Sequence, residues 1–233
     1  LAGIAFLYGL VVLPESLPPE RRMAFSWKRA NPFGALKLLR SHHELFGLAA
    51  VNFLLYFAHH VFAAVFVLYA GYRFGWSAWE VGLSLALWGA LDVIVQATLV
   101  GPFVKRFGDR WTMVFGLFVG AIGLAALGAA PTGLLFALAI PVSALWGLAM
   151  PTLLSLMTQR VSEQEQGQLQ GANMSVASLA GIGSPIFFGW VYYRTVGDSA
   201  WLAEPGASFY IAAAIMVAST ILAVFVVRRA AKD

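Results

Sequence analysis

Six apolar stretches, each about as long as the ~20 residues that a helix needs to cross a bilayer, dominate this sequence. Turn signals separate them, such as Pro131-Thr132-Gly133 between the third and fourth stretches. The sequence therefore predicts an all-α membrane protein, a bundle of six transmembrane helices. The predicted spans are residues 44–69, 79–100, 112–129, 134–157, 169–193 and 207–227.

The basic residues are sorted between the two sides of the predicted bundle. Of the 15 Lys and Arg residues, only Arg73 and Arg194 fall on one set of alternate connections. Because basic residues concentrate on the cytoplasmic side of membrane proteins, the other set is predicted to be cytoplasmic, together with the carboxyl terminus. That set consists of Arg21, Arg22, Lys28, Arg29, Lys37, Arg40, Lys105, Arg106, Arg110, Arg160, Arg228, Arg229 and Lys232.

The composition supports a membrane protein. With 60% hydrophobic and 11% charged residues and a mean hydropathy of +0.78, the chain is too apolar for a soluble domain of this length. The isoelectric point near 9.6 indicates anionic lipid headgroups and not nucleic acid, because the positive charge flanks the helices. The absence of cysteine excludes disulfides, thiol catalysis and cysteine metal sites.

The first 43 residues are interpreted as the junction with a preceding bundle. Residues 1–13 are apolar but have no initiator Met and no basic start, so they resemble the tail of a preceding transmembrane helix more than a signal peptide. Residues 14–43 are predicted to be a cytoplasmic linker, and residues 44–233 to form the six-helix bundle. The alternative is a short re-entrant or interfacial segment in a complete protein.

Two pairs of glycine residues predict close contacts between helices. Gly116 and Gly120 in the third span, and Gly167 and Gly171 at the start of the fifth, have the four-residue spacing that lets backbones approach each other. We expect both pairs to lie against a neighbouring helix.

Asp92 is the most costly side chain to place in the membrane, because an aspartate at the centre of a span costs about 2.5–3.5 kcal/mol to insert. Ser84, Trp88, Asp92 and Gln96 recur at every fourth residue, so they form one stripe that faces the bundle interior or a water-filled cavity. Asp92 is a candidate proton carrier, or a docking charge for a cationic ligand. The alternative is a buried aspartate tied to a neighbouring helix.

Two adjacent histidines lie near the middle of the first span. Asn52, Tyr56 and His59 share one helix face, and His60 lies some 100 degrees away. At least one imidazole is therefore expected to face the bundle, where it would titrate, bind a ligand or simply hydrogen-bond another helix. A metal site is not expected, because adjacent histidines on a helix point apart and no further cluster of ligands occurs.

Other spans offer candidate walls for an amphipathic cavity. Trp88, Trp146 and Met150 would supply apolar walls, and Asn173 a polar group. Core packing is the alternative role for each of them. The sequence has no phosphate loop, nucleophile motif or paired carboxylates on a span, so an enzyme is not expected and any work done would draw on an ion gradient.

The connection between the second and third spans reads GPFVKRFGDR at residues 101–110. It resembles the glycine- and arginine-rich gating loop of major facilitator transporters, whose pattern is Gly-x-x-x-Asp-Arg-x-Gly-Arg-Arg. Gly101, Arg106, Gly108 and Arg110 match that pattern. Lys105 stands where the family has an acid.

Further stretches resemble the tetracycline-efflux branch of that superfamily, whose members are drug:proton antiporters. They are LPESL at 13–17, FAH at 57–59, YRFGW at 72–76 and QGQLQG at 166–171. The resemblance covers essentially the whole chain, from the end of a sixth helix through helices seven to twelve. It implies the carboxyl-terminal half of a twelve-helix fold, made of two inverted three-helix repeats.

The resemblance also implies a function and a partner. Together with an amino-terminal half, the chain would export a tetracycline-like, small amphipathic drug across the bacterial inner membrane in exchange for protons. The energy source would be the proton gradient, and no cofactor is expected.

Two positions of the family's transport machinery have counterparts here. Asp92 matches a polar residue, often histidine, that takes part in transport, and Gln96 matches a glutamine one turn on. Gly120 replaces an acidic residue that some members have. The alternatives are a non-transporting or homodimerising half-transporter and a facilitator of another small amphipathic solute.

Overall fold

The computed structural model describes residues 43–196 and 204–229, together with the single positions 3, 8, 9, 11, 12, 38 and 39. Apart from those single positions, the predicted linker at 14–43 and the apolar stretch at 1–13 lie outside the described residues. The helices are α1 His43–His59, α2 Val61–Phe74, α3 Ala78–Ile94, α4 Val100–Ala129, α5 Gly133–Ala144, α6 Ala149–Thr158, α7 Gln166–Thr195 and α8 Ala207–Arg229.

Three short segments of other helical types lie between these helices. A π-helical segment, Val95–Leu99, joins α3 to α4, and a 3-10 segment, Leu145–Leu148, joins α5 to α6. A 3-10 turn at Glu163–Glu165 precedes α7. There the Glu165 carboxylate accepts a hydrogen bond from the Ser162 backbone amide at 3.1 Å, which caps the start of the helix.

Five helical segments in the described part of the chain are long and apolar enough to cross a membrane. This agrees with the predicted all-α membrane class. The number of described segments is five and not the predicted six, because the spans predicted at 79–100 and 112–129 form a single helical stretch of 52 residues. The five segments are Glu44–Phe74, Ala78–Ala129, Gly133–Thr158, Glu163–Thr195 and Ala207–Arg228.

The 52-residue stretch reverses its direction at Gly108. The Phe103 and Phe115 rings lie with their centroids 5.4 Å apart, whereas twelve residues of straight helix would separate them by about 18 Å. Gly108 has φ 74° and ψ 164°, a backbone conformation that is essentially restricted to glycine. The predicted connection at 101–110 is therefore a sharp turn centred on Gly108, with a helical limb on either side.

Gly108→Ala is expected to destabilise the protein by about 1–3 kcal/mol, because an L side chain is strained in this conformation. A Cβ atom at position 108 would meet nothing within 4 Å, so the loss would come from the backbone alone. The measurement is the thermal unfolding of the purified protein. Gly101→Ala is the control, since its Cβ would also meet nothing and its backbone is helical. Equal melting temperatures for the two variants would contradict this account of the turn.

The core of the bundle lies around the second limb of α4. This limb packs against α8, α5 and α6, while α1 packs against α8 and α7. Met113, Leu117, Leu124 and Leu127 project from α4 at helical spacing and are almost fully buried. The limb after Gly108 is therefore the central helix of the described fold.

Glycines on α4 allow this close packing, as predicted for Gly116 and Gly120. A Cβ atom at Gly116 would lie 2.8 Å from the backbone nitrogen of Ala149, and one at Gly120 would lie 2.8 Å from Cβ of Trp146. Real Cβ contacts are not this short. The backbone of α4 therefore approaches the 3-10 segment and the start of α6 only because these two residues have no side chain.

The same prediction is wrong for Gly167 and Gly171 at the start of α7. Both residues are exposed, and a Cβ atom at either would meet no described atom within 4 Å. The four-residue spacing places the two glycines on one helix face, but no described helix covers that face.

Candidate functional site

A cavity of about 260 Å³ lies between α1, α6, α7 and the π-helical segment. Five of the predicted site residues line it together: Asn52, Tyr56, Gln96, Met150 and Asn173. No lining residue is charged. The other lining residues are Pro151, Leu153, Leu154, Met157, Gln170 and Met174.

The polar part of this cavity is fixed by an amide pair. The Asn52 Nδ2 atom donates to Oδ1 of Asn173 at 3.4 Å, and both side chains are buried. This contact joins α1 to α7 in a region where a buried amide without a partner would be unfavourable. The remaining amide groups of the pair, with the Tyr56 hydroxyl and the Gln96 and Gln170 amides, give the cavity neutral donors and acceptors, and its other lining residues are apolar.

Other predicted site residues lie outside this cavity, in an aromatic cluster. The His59 ring lies 4.5 Å from that of Trp146 and 5.5 Å from that of Trp88, measured between centroids. Phe62 stacks on Trp88 at 4.8 Å. Trp146 is only 4% exposed and packs among these rings, and it does not line the 260 Å³ cavity.

Trp88 and His60 complete the surroundings of this cluster. The Trp88 Nε1 donor is buried and has no hydrogen-bond partner in the described part of the chain. His60 stacks against Tyr56 and faces α7, where a Cβ atom at Gly181 would lie 3.3 Å from its Nε2 atom. Both imidazoles therefore face neighbouring helices, although the sequence required this of only one.

The first span bends where these histidines lie. Helical hydrogen bonds continue on both sides of His60, but ψ of His60 is −3°, away from the helical value. The Ser184 hydroxyl of α7 donates to the carbonyl oxygen of Phe57 at 2.7 Å. A side chain of α7 thus satisfies a backbone acceptor at the bend.

Asp92 is half-buried and is held by its own helix. The Gln96 Nε2 atom donates to Oδ2 of Asp92 at 2.7 Å, one turn away. A Cβ atom at Gly147 would lie 2.5 Å from the other carboxylate oxygen, so Asp92 rests directly on the Gly147 backbone. Among the described residues, neither His59 nor His60 forms an ion pair with Asp92.

Irregular helix geometry brings Asp92 and Gly147 together. The π-helical segment begins three residues after Asp92, and π segments are frequent at functional sites. On the other helix, Pro141 lacks a backbone donor and precedes the tight 3-10 segment that contains Gly147. Sequence reasoning missed Gly147, and Pro141 is the signal that would have suggested a local departure from α-helix.

The loop at 101–110 makes a contact that its sequence did not indicate. Asp109 Oδ2 accepts hydrogen bonds from Ser155 Oγ and Gln159 Nε2, each at 3.0 Å. The acid one residue after Gly108 therefore ties the turn to α6, while Lys105 and Arg106 are exposed.

A second contact at the same end of the bundle ties α6 to α1. Arg160 Nε pairs with the Glu44 carboxylate, and Arg160 Nη1 also donates to the carbonyl oxygen of Leu156 at 2.6 Å. The ends of α1, α4 and α6 thus form one connected unit.

The described residues contain no group of three or more His, Asp or Glu side chains that could hold a metal ion.

Comparison with known proteins places these features in a family. The model of the Major Facilitator Superfamily matches residues 48–233. The tetracycline resistance protein of class C from Escherichia coli is 32% identical over 214 residues, covering 91% of this chain and 53% of that protein. The class G protein from Vibrio anguillarum is 34% identical over 214 residues, covering 91% of this chain and 54% of that protein.

A solved structure shows the same fold. The crystal structure of the human organic anion transporter MFSD10 (TETRAN) matches with a TM-score of 0.80 at 21% identity, over 95% of this chain and 55% of that one. The chain spans about half the length of the curated relatives that it matches. It is a multi-pass membrane protein and not an enzyme, and it belongs to the Major Facilitator Superfamily of transporters.

Proposed function

We propose that this chain is the carboxyl-terminal half of a transporter that exports tetracycline-like drugs in exchange for protons. The similarity to tetracycline resistance proteins over nine-tenths of the chain is the observation that carries this proposal. The neutral, amide-containing cavity supports it, because small-molecule sites are mostly apolar with a few placed polar groups.

The reversal at Gly108 supports a division into six spans. Counted on either side of it, the spans would form two three-helix repeats, α1 to the end of α4 and α5 to the end of α8. In such folds the substrate lies near the membrane midplane between two halves. The cavity beside Asn52 and Asn173 would then be one wall of the drug site, and an amino-terminal half would supply the other.

Asp92 would carry the proton in this half. It is an ionisable side chain on a membrane-spanning helix, and such residues face cavities or partners and mark ion pathways. Gln96 links the two sites, since it bonds Asp92 and also lines the cavity. Drug contact at Gln96 would thereby alter the hydrogen bonding of the carboxylate, which is a direct route for coupling. The proton gradient supplies the energy, and no cofactor is needed.

The proposed orientation follows the basic residues. Lys105, Arg106, Arg160 and Arg228 lie at one end of the described helices, and this end would be cytoplasmic in the bacterial inner membrane. The linker at 14–43 and the carboxyl terminus would lie on the same side.

Asn173→Leu tests the cavity as the drug site. The substitution leaves Asn52 without its partner and removes a polar group, so we expect the KM for tetracycline to rise about fivefold or more. The measurement is energised uptake into everted membrane vesicles that contain the full-length transporter. Thr98→Val is the control, since Thr98 is exposed, bonds its own helix and does not line the cavity. An unchanged KM for Asn173→Leu would exclude this cavity from drug binding.

The uncharged lining favours a second candidate, a facilitator of another neutral amphipathic solute. Uptake of a panel of neutral and cationic amphipathic compounds separates the two candidates. For the second candidate, tetracycline shows no energised uptake while another compound does. A non-transporting half-transporter predicts no energised uptake of any compound. A homodimerising half-transporter predicts uptake without an amino-terminal half.

A further inference from the structure

An apolar cleft, separate from the cavity beside Asn52 and Asn173, lies between the two limbs of α4 and α8. Its volume is about 640 Å³, within the range of small-molecule sites. Five aromatic rings from both limbs of α4 dominate its wall, and α8 contributes one hydroxyl group. The principal lining residues are Phe103, Phe107, Trp111, Phe115, Phe118 and Thr220.

The lining of the cleft offers almost no polar surface to a ligand. Thr220 Oγ1 donates to the carbonyl oxygen of Met216 in its own helix at 2.8 Å, so its hydrogen is already used. The rings of Phe107, Trp111 and Phe118 are about half exposed. A hydrocarbon chain is therefore the chemistry that fits the interior of the cleft.

Positive charge lies at the mouth of this cleft. The Arg106 guanidinium lies 5.6 Å from the centroid of the Phe107 ring, which lines the cleft. Lys105 and Arg106 are exposed, and neither forms an ion pair with a described residue. Asp109, the acid nearest to them in the sequence, is directed towards α6 by its bonds to Ser155 and Gln159.

We propose that this cleft binds an anionic phospholipid, with an acyl chain among the aromatic rings and the phosphate beside Arg106 and Lys105. Basic residues next to a groove between membrane helices recognise anionic headgroups in this way. The choice of a lipid follows from the combination of an apolar interior with two exposed cations at the membrane-surface end that form no ion pair with a described residue. The inference rests on the proposed membrane orientation of the Gly108 turn, and it does not depend on drug export.

Quenching of Trp111 fluorescence tests the proposal in nanodiscs that contain the full-length protein. A small fraction of brominated phosphatidylglycerol, or of brominated phosphatidylcholine, is added to a phosphatidylcholine bilayer. Subtracting the signal of Trp111→Phe isolates Trp111 from the other tryptophans. We expect brominated phosphatidylglycerol to quench Trp111 about threefold more than brominated phosphatidylcholine.

Charge variants assign that preference to the cleft. The double variant Lys105→Gln/Arg106→Gln is expected to lose it. The double variant Arg73→Gln/Arg194→Gln, with the same change of charge at the other end of the bundle, is expected to keep it. Equal quenching by the two lipids in the wild type, no quenching by either, or a preference that survives the loss of Lys105 and Arg106 would overturn the proposal. None of these results depends on whether the protein transports tetracycline.

Discussion

Replacement of Asp92 by Asn is expected to reduce tetracycline accumulation driven by a pH gradient about tenfold or more, because a side chain that cannot change protonation cannot carry a proton. Exchange of labelled for unlabelled tetracycline at equal pH is expected to persist, since exchange needs the drug site and the conformational change but no net proton movement. This split between lost coupling and retained exchange is what a merely structural aspartate would not produce.

The surroundings of Asp92 make the amide a conservative change. Asn has the same shape, so it still fits against the Gly147 backbone and still accepts a hydrogen bond from Gln96 Nε2. Glu80→Gln is the matched control, because this carboxylate caps the start of α3 at the Ser77 amide, away from the cavity, and Gln can make the same cap. Retained coupling in Asp92→Asn, or loss of exchange as well as coupling, would remove Asp92 from the proposed proton pathway.

Gly123→Ala is expected to destabilise the protein by about 1–3 kcal/mol, although it adds a single methyl group. A Cβ atom at position 123 would lie 2.7 Å from the backbone nitrogen of Ser143 and 2.8 Å from its Cβ atom, and closer still to its Cα atom. These are mostly backbone atoms of α5, which cannot move aside as a flexible side chain would. The substitution must separate α4 from α5 along the central contact of the bundle.

Gly71→Ala is the matched control for this prediction. Its Cβ atom would make only an ordinary contact, at 4.0 Å from the carbonyl oxygen of Trp76. Because alanine favours helix over glycine by about 1 kcal/mol, the control is expected to be neutral or slightly stabilising. Thermal unfolding of both purified variants gives the comparison. A melting temperature of Gly123→Ala at or above that of Gly71→Ala would contradict the close approach of α4 and α5.

Hydropathy alone could predict where the helices lie, because a bilayer imposes one length on every span. It could not predict how they end. The sequence predicts a connection at 101–110 that separates two spans, yet the helical structure continues through it except at Gly108. The positive φ of Gly108 is a property of the backbone, which hydropathy does not report. The glycine spacing was informative at Gly116 and Gly120 and wrong at Gly167 and Gly171, since spacing defines a face but not its neighbour.

The candidate site was predictable only in part, as far as regular helical periodicity applies. Helical periodicity placed Asn52 and Tyr56 on one face of α1, and the structure brings both to the cavity. It could not identify Asn173 as the partner of Asn52, because the two residues are 121 positions apart in the sequence. The contact between Asp92 and Gly147 depends on π and 3-10 segments, where the regular period no longer applies.

Accumulation of tetracycline in proteoliposomes, with an imposed pH gradient as the only energy source, tests the central claim most directly. The purified full-length transporter, with this chain as its carboxyl-terminal half, is expected to concentrate tetracycline against its gradient while protons move the opposite way. A protonophore should release the accumulated drug. Tetracycline levels that are the same with and without the pH gradient would contradict proton-coupled drug export by this protein.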